Sequence, residues 1–199
     1  MPIISTIRPE IPASSRDHFI AAWPTLLGEL EAQPGLLHAT GGQVVAEDGQ
    51  RVDEFKIIQF LAFANVEDEE TFTKSPWAQE HETRLESSGA PEPTVGRFKF
   101  SEFSVDPSPK PFLQLTSITL PSESKREEAR KVWAELVTIL GKETRGGVLL
   151  RDDVFNGLAL IGWDSLEEVE NAYKEPKAAE ALAAYKRLGQ VRSALVKLL

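Results

Sequence analysis

The pattern of apolar and polar residues passes through the same series of elements twice along the chain. Each series opens with a short segment, at residues 3–7 and 112–120, rich in the β-branched and aromatic side chains that a pleated sheet favours. An amphipathic helix follows, beginning near Ser15 or Ser124, in which apolar residues recur at every third or fourth position. Two strands, a second helix and a last strand complete each series. The pattern therefore predicts the order β-α-β-β-α-β twice.

The remaining strands are predicted from apolar and β-branched runs at 36–45, 55–63 and 97–105, and at 148–150, 158–163 and 192–198. The 55–63 strand is apolar on both faces, since Leu61 and Phe63 point to one side and Phe60 to the other. It is therefore predicted to be a central strand covered on both sides. Asp48-Gly49, shortly after the 36–45 strand, predicts a tight hairpin turn.

An internal repeat relates the two series. The apolar face of the first helix matches that of the later helix at a constant offset: Trp23, Leu26, Leu27 and Leu30 against Trp133, Leu136, Val137 and Leu140. The stretch 41–50 has no counterpart and is predicted to be an insertion in the first copy. Three prolines in the stretch 106–111 cannot donate hydrogen bonds to a strand or helix. The predicted units are residues 1–105, a proline-rich linker at 106–111, and residues 112–199.

The order β-α-β-β-α-β is that of the ferredoxin-like fold, in which a four-stranded antiparallel sheet carries its helices on one face. The other face of such a sheet has to be covered, and the second unit is the available cover. We therefore predict an α+β fold in which two ferredoxin-like halves pack sheet against sheet with pseudo-twofold symmetry.

Composition and charge narrow the classes of partner and chemistry. The 199 residues carry 22 Lys and Arg against 31 Asp and Glu, and a net charge of −9 disfavours nucleic acid and anionic membrane surfaces as partners. The absence of cysteine excludes disulfides, thiol nucleophiles, iron–sulfur clusters and cysteine-ligated zinc. No apolar run is long enough for a membrane span and residues 1–4 lack the features of an export signal, so a cytoplasmic protein is predicted. Three scattered histidines predict no metal site.

One stretch in each copy resembles a known family. Trp163-Asp164-Ser165-Leu166-Glu167, followed by Glu175-Pro176, resembles the Trp-x-Ser-x-Glu stretch and the later Ser-Pro step of antibiotic-biosynthesis-monooxygenase-like (ABM) proteins. The first copy keeps Glu67 and Ser75-Pro76, with Phe63 in place of the tryptophan. Members pair two identical chains into a dimeric α+β barrel. The resemblance therefore implies a tandem duplication, with an intramolecular dimeric α+β barrel in one chain.

The resemblance also implies a function. The family includes cofactor-independent oxygenases and cyclases acting on aromatic, polyketide-like compounds, so a small-molecule enzyme of this kind, without a cofactor, is the leading hypothesis. Two histidines common in the family are replaced by Phe72 and Trp77 in the first copy and by Ala172 and Lys177 in the second. A non-catalytic ligand-binding or stress-type barrel is therefore the alternative. Haem binding or degradation is a minor alternative, because His81 lies near the position of the iron ligand in the haem-degrading branch.

The candidate site is predicted in the first half, on the helix that begins after Pro76. Trp77, His81 and Leu85 are spaced by four residues, so they project from one stripe of that helix. An imidazole at this place transfers a proton near neutral pH, beside an aromatic wall that binds a flat apolar ligand. The candidates are His81 and His38 as catalytic residues, and Trp77, Phe72, Phe60, Gln59 and Trp163 as substrate-binding residues.

Alternatives to this site remain open. His81 lies between Glu80 and Glu82 and is equally typical of a surface histidine, and the side chain of His38 faces either the site or the opposite sheet. The second half has small residues on the corresponding helix and is predicted to be packed shut. The predicted partner is a small apolar or aromatic ligand, and the chain is expected to be a monomeric pseudo-dimer or a homodimer.

Overall fold

The computed structural model describes residues 1–87, 89–103, 109–151 and 155–199, which form a mixed α+β fold. The strands are β1 (Ile3–Arg8), β2 (Leu36–Glu47), β3 (Gln50–Arg51), β4 (Ile57–Phe63), β5 (Thr94–Phe100), β6 (Phe112–Leu120), β7 (Arg145–Leu149), β8 (Phe155–Trp163) and β9 (Gln190–Leu198). The α-helices are α1 (Arg16–Glu31), α2 (Val66–Thr73), α3 (Pro76–Ser87), α4 (Arg126–Leu140), α5 (Leu166–Lys174) and α6 (Pro176–Lys186).

The strands form one antiparallel sheet in the order β3-β2-β4-β1-β5-β7-β8-β6-β9. Strand β2 also pairs with β9, so the eight longer strands close into a barrel and β3 extends β2 as a short hairpin. The order around the barrel is β2-β4-β1-β5 in the first part of the chain and β7-β8-β6-β9 in the second. A closed barrel leaves none of these eight strands as a free edge.

The two seams where the first part of the chain meets the second are unequal. At one seam, β5 pairs with β7 from Phe98↔Leu149 to Phe100↔Gly147. At the other, β2 pairs with β9 over a longer stretch that begins at Gly42↔Leu198. A Cβ atom on Gly42 would lie 2.1 Å from the carbonyl oxygen of Lys197, so the close approach of these strands requires a glycine here.

Apolar side chains fill the barrel, and a second apolar layer lies outside it under the helices. The interior cluster is contributed by both parts of the chain: Ile4, Val44, Ile58, Phe60, Ala62, Phe98, Phe100, Leu115, Leu158, Ala194 and Val196. Outside the first part, Leu61 and Phe63 of β4 pack with Phe72 of α2. Outside the second part, Trp163 and Ile161 of β8 pack under α4 and α5. Among the described helices, none combines the length and apolarity needed to cross a membrane.

Several local predictions are confirmed. The elements follow the predicted order, and β4 is buried on both faces, with Phe60 in the barrel and Leu61 under the helices. Asp48 (φ 49°) and Gly49 (φ 82°) form the predicted two-residue turn between β2 and β3. The first-half closing strand, predicted at 97–105, instead runs from Thr94 to Phe100.

The region between the two parts is described only in its last residues. The predicted linker 106–111 and the unit boundary at residue 105 fall largely on 104–108, which lie outside the described residues. At the end of the linker, the carbonyl of Pro111 accepts a hydrogen bond from the Leu198 amide at 2.9 Å. The chain therefore enters β6 already joined to β9.

Candidate ligand-binding sites

Three of the predicted site residues form a continuous aromatic stack outside the first half. The ring centroids of Phe72 and Trp77 are 6.1 Å apart, and those of Trp77 and His81 are 4.9 Å apart with planes at 8°. The Trp77 Nε1 donates a hydrogen bond to Glu29 Oε2 at 3.2 Å, which links α3 to α1. The predicted stripe on α3 is therefore present, packed against the neighbouring helix.

The stack affects the ionisation of His81. Burial lowers the pKa of the imidazole, the positive charge of Arg84 lowers it further, and the carboxylate of Glu29 partly opposes both. The neutral imidazole is therefore favoured near neutral pH, the form that accepts a proton.

The other predicted site residues of the first half lie on two different sides of the sheet. Phe60 lies inside the barrel, whereas Phe72 lies outside it under the helices. Gln59 is next to Phe60 in β4 and so points to the helix side. His38 pairs with Ala62, whose side chain faces the barrel interior, and its Nδ1 is 3.8 Å from Glu31 Oε1. The alternation along β4 is the signal in the sequence that separates Phe60 from the other aromatic residues.

Two cavities lie elsewhere, and none of the predicted site residues lines either of them. One, of about 390 Å³, opens at an end of the barrel and is called the barrel cavity; its mouth carries Arg8, Glu47, Asp48, Asn156 and Arg192. The other, of about 290 Å³, lies between the second-half sheet and helices α5 and α6 and is called the helix cavity. Its apolar walls are Leu166, Val169, Leu182, Val191 and Leu195.

The helix cavity differs from the expectation that the second half is packed shut. The buried alanines of α6, Ala178 and Ala181, pack with Leu136 of α4 instead of filling the space beside the sheet. Small residues let α6 approach α4 closely. Leu182, one position further on, lines the cavity.

A buried polar cluster forms one wall of the helix cavity. Gln114 is the centre: its Nε2 donates to the Tyr173 hydroxyl at 3.0 Å, and its Oε1 accepts from Trp163 Nε1 at 2.9 Å. The Tyr173 hydroxyl also donates a hydrogen bond to Gln114 Oε1 at 3.2 Å. Trp163, predicted to bind substrate, is fully buried and holds the amide of Gln114 in place. Gln114 and Thr116, polar at helix-facing positions of β6, are the signal that sequence reasoning missed.

The Tyr173 hydroxyl is a stable hydrogen-bond donor. Burial raises the pKa of the phenol, and the hydrogen bond with Gln114 only partly opposes this effect. The hydroxyl therefore stays protonated across the physiological range. Such a group can orient a ligand oxygen and stabilise negative charge that develops on it.

Charged residues surround the opening of the helix cavity. Arg51 of the hairpin lies 3.0 Å from Glu170 of α5, measured from Nη2 to Oε1. Lys186 of α6 also lines the cavity and has no ion pair with any carboxylate in the described part of the chain. The opening therefore offers one uncompensated positive charge to an incoming ligand.

The corresponding region of the first half is filled by an ion pair. Glu69 of α2 is buried, accepts a hydrogen bond from the Ser5 hydroxyl at 2.8 Å and accepts another from Arg97 Nε at 2.9 Å. Ser5 is the third residue of β1, and Gln114 is the third residue of β6, the equivalent strand of the second half. The two halves therefore differ in the polar groups between sheet and helices. No cluster of three or more potential metal ligands occurs among the described residues.

Comparison with solved structures agrees with this architecture. The chain resembles a protein from Fusobacterium nucleatum assigned as a monooxygenase, with a TM-score of 0.70 at 11% identity, over 100% of this chain and 92% of that one. An anthrone oxidase-like protein gives a TM-score of 0.70 at 13% identity, over 100% of this chain and 91% of that one. A protein from Lactobacillus acidophilus, also assigned as a monooxygenase, gives a TM-score of 0.65 at 12% identity, over 99% of this chain and 93% of that one.

These similarities show that the α+β barrel fold is shared with solved structures. No family model matches the sequence, and no curated protein matches it either. Conclusions about activity therefore rest on the cavities and their chemistry.

Proposed function

We propose that this protein is a small-molecule enzyme of the cofactor-independent oxygenase kind, and that the helix cavity binds its flat, largely apolar substrate. The observation that carries the proposal is the Gln114–Tyr173 pair, a buried polar group beside the apolar walls of a cavity whose charged residues surround its opening. Apolar walls with a few placed polar groups are typical of small-molecule sites. Structural similarity to proteins described as monooxygenases and anthrone oxidase-like supports the same class.

The proposed chemistry needs an acidic C–H bond in the substrate. A methylene group between two aromatic rings that are conjugated to a ketone, as in anthrone, loses a proton to water or to a base, and the resulting enolate reduces O₂. One oxygen atom of O₂ forms a new carbonyl at that carbon, and the other leaves with the two methylene hydrogens as water. The Tyr173 hydroxyl would donate to the substrate oxygen as its negative charge develops, and Lys186 would stabilise the enolate from the rim.

We further propose that residues 1–105 and 112–199 are two copies of one ferredoxin-like unit, duplicated in tandem and packed as a pseudo-dimer. The equal strand orders β2-β4-β1-β5 and β7-β8-β6-β9 support this. So does the match of Trp23 on α1 to Trp133 on α4. An experimental structure in which the halves superpose through a twofold rotation would establish it, and halves that do not superpose would overturn it.

The function is tested with anthrone as the probe, because its methylene group has the required acidity. Binding is followed by tryptophan fluorescence, oxygen uptake with an electrode, and product by mass spectrometry. Tyr173→Phe removes the proposed hydrogen-bond donor, and we expect it to lower turnover about 100-fold with little change in anthrone affinity. Wild-type turnover in Tyr173→Phe would contradict the proposed role of the hydroxyl.

A second pair of variants tests the location. Leu182→Trp places a large side chain in the helix cavity and is expected to abolish binding. Ile139→Trp adds the same side chain on the exposed face of α4, where Ile139 is 38% exposed, and is the matched control. Unchanged anthrone binding in a folded Leu182→Trp variant would place the ligand elsewhere.

Ligand binding without conversion is the second candidate function. It is favoured by one observation: none of the three histidines, all within the described residues, lines either cavity. Binding of anthrone at the helix cavity with no oxygen uptake would support it. The catalytic roles of His81 and His38, and the ligand contacts of Trp77, Phe72, Phe60 and Gln59, stay predictions.

A further inference from the structure

The barrel cavity is a second enclosed space, on the opposite side of the sheet from the helix cavity. Its inner wall is apolar and belongs to the interior cluster, through Phe98, Leu115, Leu158 and Ala194. Its volume of about 390 Å³ lies within the range of small-molecule sites. Nothing in the proposed oxygenation uses this space, so its chemistry has to be derived from its own residues.

The charges at its mouth leave one cation without a partner. Glu47 binds Lys56, with Oε2 2.8 Å from Nζ. Asp48 binds Arg192 at 3.0 Å and also accepts a hydrogen bond from the Ser193 amide at 2.8 Å. Arg8 lines the same cavity and makes no ion pair with a carboxylate of the described residues. Within the described ranges, the acidic groups of the lining are therefore paired, and the Arg8 guanidinium has no carboxylate partner.

A buried acceptor in the same cavity lacks a donor. Asn156 of β8 uses its Nδ2 to donate to Thr119 Oγ1 at 2.9 Å, whereas its Oδ1 is buried without a hydrogen-bond partner among the described residues. Leaving a buried acceptor unsatisfied is unfavourable. Asn156 Oδ1 exposes less than 1 Å², so the amide has to turn towards the cavity before a ligand O–H or N–H supplies the missing hydrogen bond. The Ser117 hydroxyl also lines the cavity.

We propose that the barrel cavity binds a small carboxylate that also carries a hydroxyl or amino group. The carboxylate binds the guanidinium of Arg8, because Arg presents paired donors that match a carboxylate. The hydroxyl or amino group donates to Asn156 Oδ1, and the apolar body of the ligand packs against Phe98, Leu115 and Leu158. This proposal uses neither Tyr173 nor Lys186 and so stands apart from the oxygenase proposal, although Asp48, Ser193 and Ala194 line both cavities.

The proposal is tested by calorimetry with three probes: 4-hydroxybenzoate, benzoate and 4-hydroxybenzyl alcohol. The first carries both recognition groups, the second lacks the hydroxyl and the third lacks the carboxylate. We expect 4-hydroxybenzoate to bind about 10-fold more tightly than either of the others. Equal affinity for all three, or binding of the neutral alcohol alone, would overturn the proposal.

Variants assign the two contacts. Arg8→Gln is expected to weaken 4-hydroxybenzoate binding at least about 10-fold and to remove the advantage over the neutral alcohol. Asn156→Ala is expected to remove only the advantage of 4-hydroxybenzoate over benzoate. Arg130→Gln, an exposed arginine on α4 outside the cavity, is the matched control and is expected to bind as wild type. Unchanged affinity in a folded Arg8→Gln variant would contradict the proposal.

Methyl NMR of the wild-type protein keeps the test decisive if a variant fails to fold. Addition of 4-hydroxybenzoate is expected to shift the methyl signals of Leu115 and Leu158, which line the barrel cavity, and to leave Leu182 unchanged. Shifts at Leu182 without shifts at Leu115 would place the probe in the helix cavity and overturn the proposal. Leu182→Trp is expected to leave 4-hydroxybenzoate binding intact while abolishing anthrone binding, which separates failure of one proposal from failure of the other.

Discussion

Arg51 of the β2–β3 hairpin and Glu170 of helix α5 lie 3.0 Å apart, measured from Nη2 to Oε1, at the rim of the helix cavity. The hairpin belongs to the first part of the chain and the helix to the second. Their side chains are 73% and 39% exposed, so the pair contributes at most about 1 kcal/mol to stability. The Arg51 side chain therefore covers part of the rim through a weak contact that a ligand can displace.

Arg51→Ala is expected to speed ligand exchange without unfolding the protein. Asp48 keeps the hairpin joined to Arg192 and Ser193 of β9, but the variant removes the Arg51 side chain from the rim. Association and dissociation rates of a helix-cavity ligand should therefore both rise, while the free energy of unfolding changes by less than about 1 kcal/mol. Stopped-flow tryptophan fluorescence with anthrone measures the rates. Lys74→Ala, which breaks an exposed pair with Glu70 in the first half, is the control and should leave them unchanged. Equal rates in Arg51→Ala and wild type would mean that the Arg51 side chain does not limit access.

Gly42→Ala is expected to destabilise the barrel, because the new Cβ would meet the backbone of β9 at the Lys197 carbonyl. A backbone atom cannot move aside as a flexible side chain does, so we expect a loss of about 1–3 kcal/mol in urea unfolding. Gly28→Ala is the matched control: Gly28 is inside α1 with open space around it, and alanine there should stabilise by roughly 0.5–1 kcal/mol. A neutral effect of Gly42→Ala would show that the β2–β9 seam can relax.

The fold could be predicted from the sequence because its determinants are local and periodic. Strand β4 shows this: Phe60 and Leu61 alternate between two apolar faces, and the structure buries one in the barrel and the other under the helices. The helix after Ser165 is another case. The Ser165 hydroxyl accepts from the Glu168 amide at 3.1 Å, and Glu168 Oε2 accepts from the Asp164 amide at 2.8 Å.

The candidate sites could not be predicted in the same way, since a cavity depends on how elements pack. The alanines of α6 suggest a filled half, yet Ala181 contacts α4 and Leu182 is left beside an open space. Asn156 of the second part lines the barrel cavity together with Arg8 of the first part only because strands of both parts close into one barrel. For Gln114 the sequence carries a signal that was missed: a polar residue on the helix-facing side of a strand predicts a buried hydrogen bond.

The stability of the protein is expected to fall at acidic pH through His81. Burial and Arg84 lower the pKa of His81 in the folded chain, so between the folded and unfolded pKa values the unfolded chain binds more protons. The stabilisation is therefore present above the unfolded value of about 6.5 and is lost as pH falls through the lower, folded pKa. His81→Phe keeps a ring against Trp77 and removes the titration, so its urea unfolding should depend less on pH than that of wild type.

His18→Gln is the control, because it removes an imidazole from the exposed surface of the protein. An unaltered profile in His81→Phe would show that His81 does not titrate on unfolding. The same variant tests the catalytic role predicted for His81. A substrate site in the helix cavity requires that turnover of anthrone be retained, and a folded variant without turnover would move the site to the first half.

Arg97→Met is expected to destabilise the first half more than loss of an exposed ion pair does. Glu69, with a side chain only 10% exposed, would keep the Ser5 hydrogen bond but lose its cation, and a buried carboxylate without a cation is costly. We expect a loss of about 1–3 kcal/mol in urea unfolding. Arg130→Met, which removes the exposed pair with Glu127, should cost less than about 1 kcal/mol. Adding Glu69→Gln to Arg97→Met should recover part of the loss, because the amide carries no charge; no recovery would show that the loss comes from packing of the arginine stem.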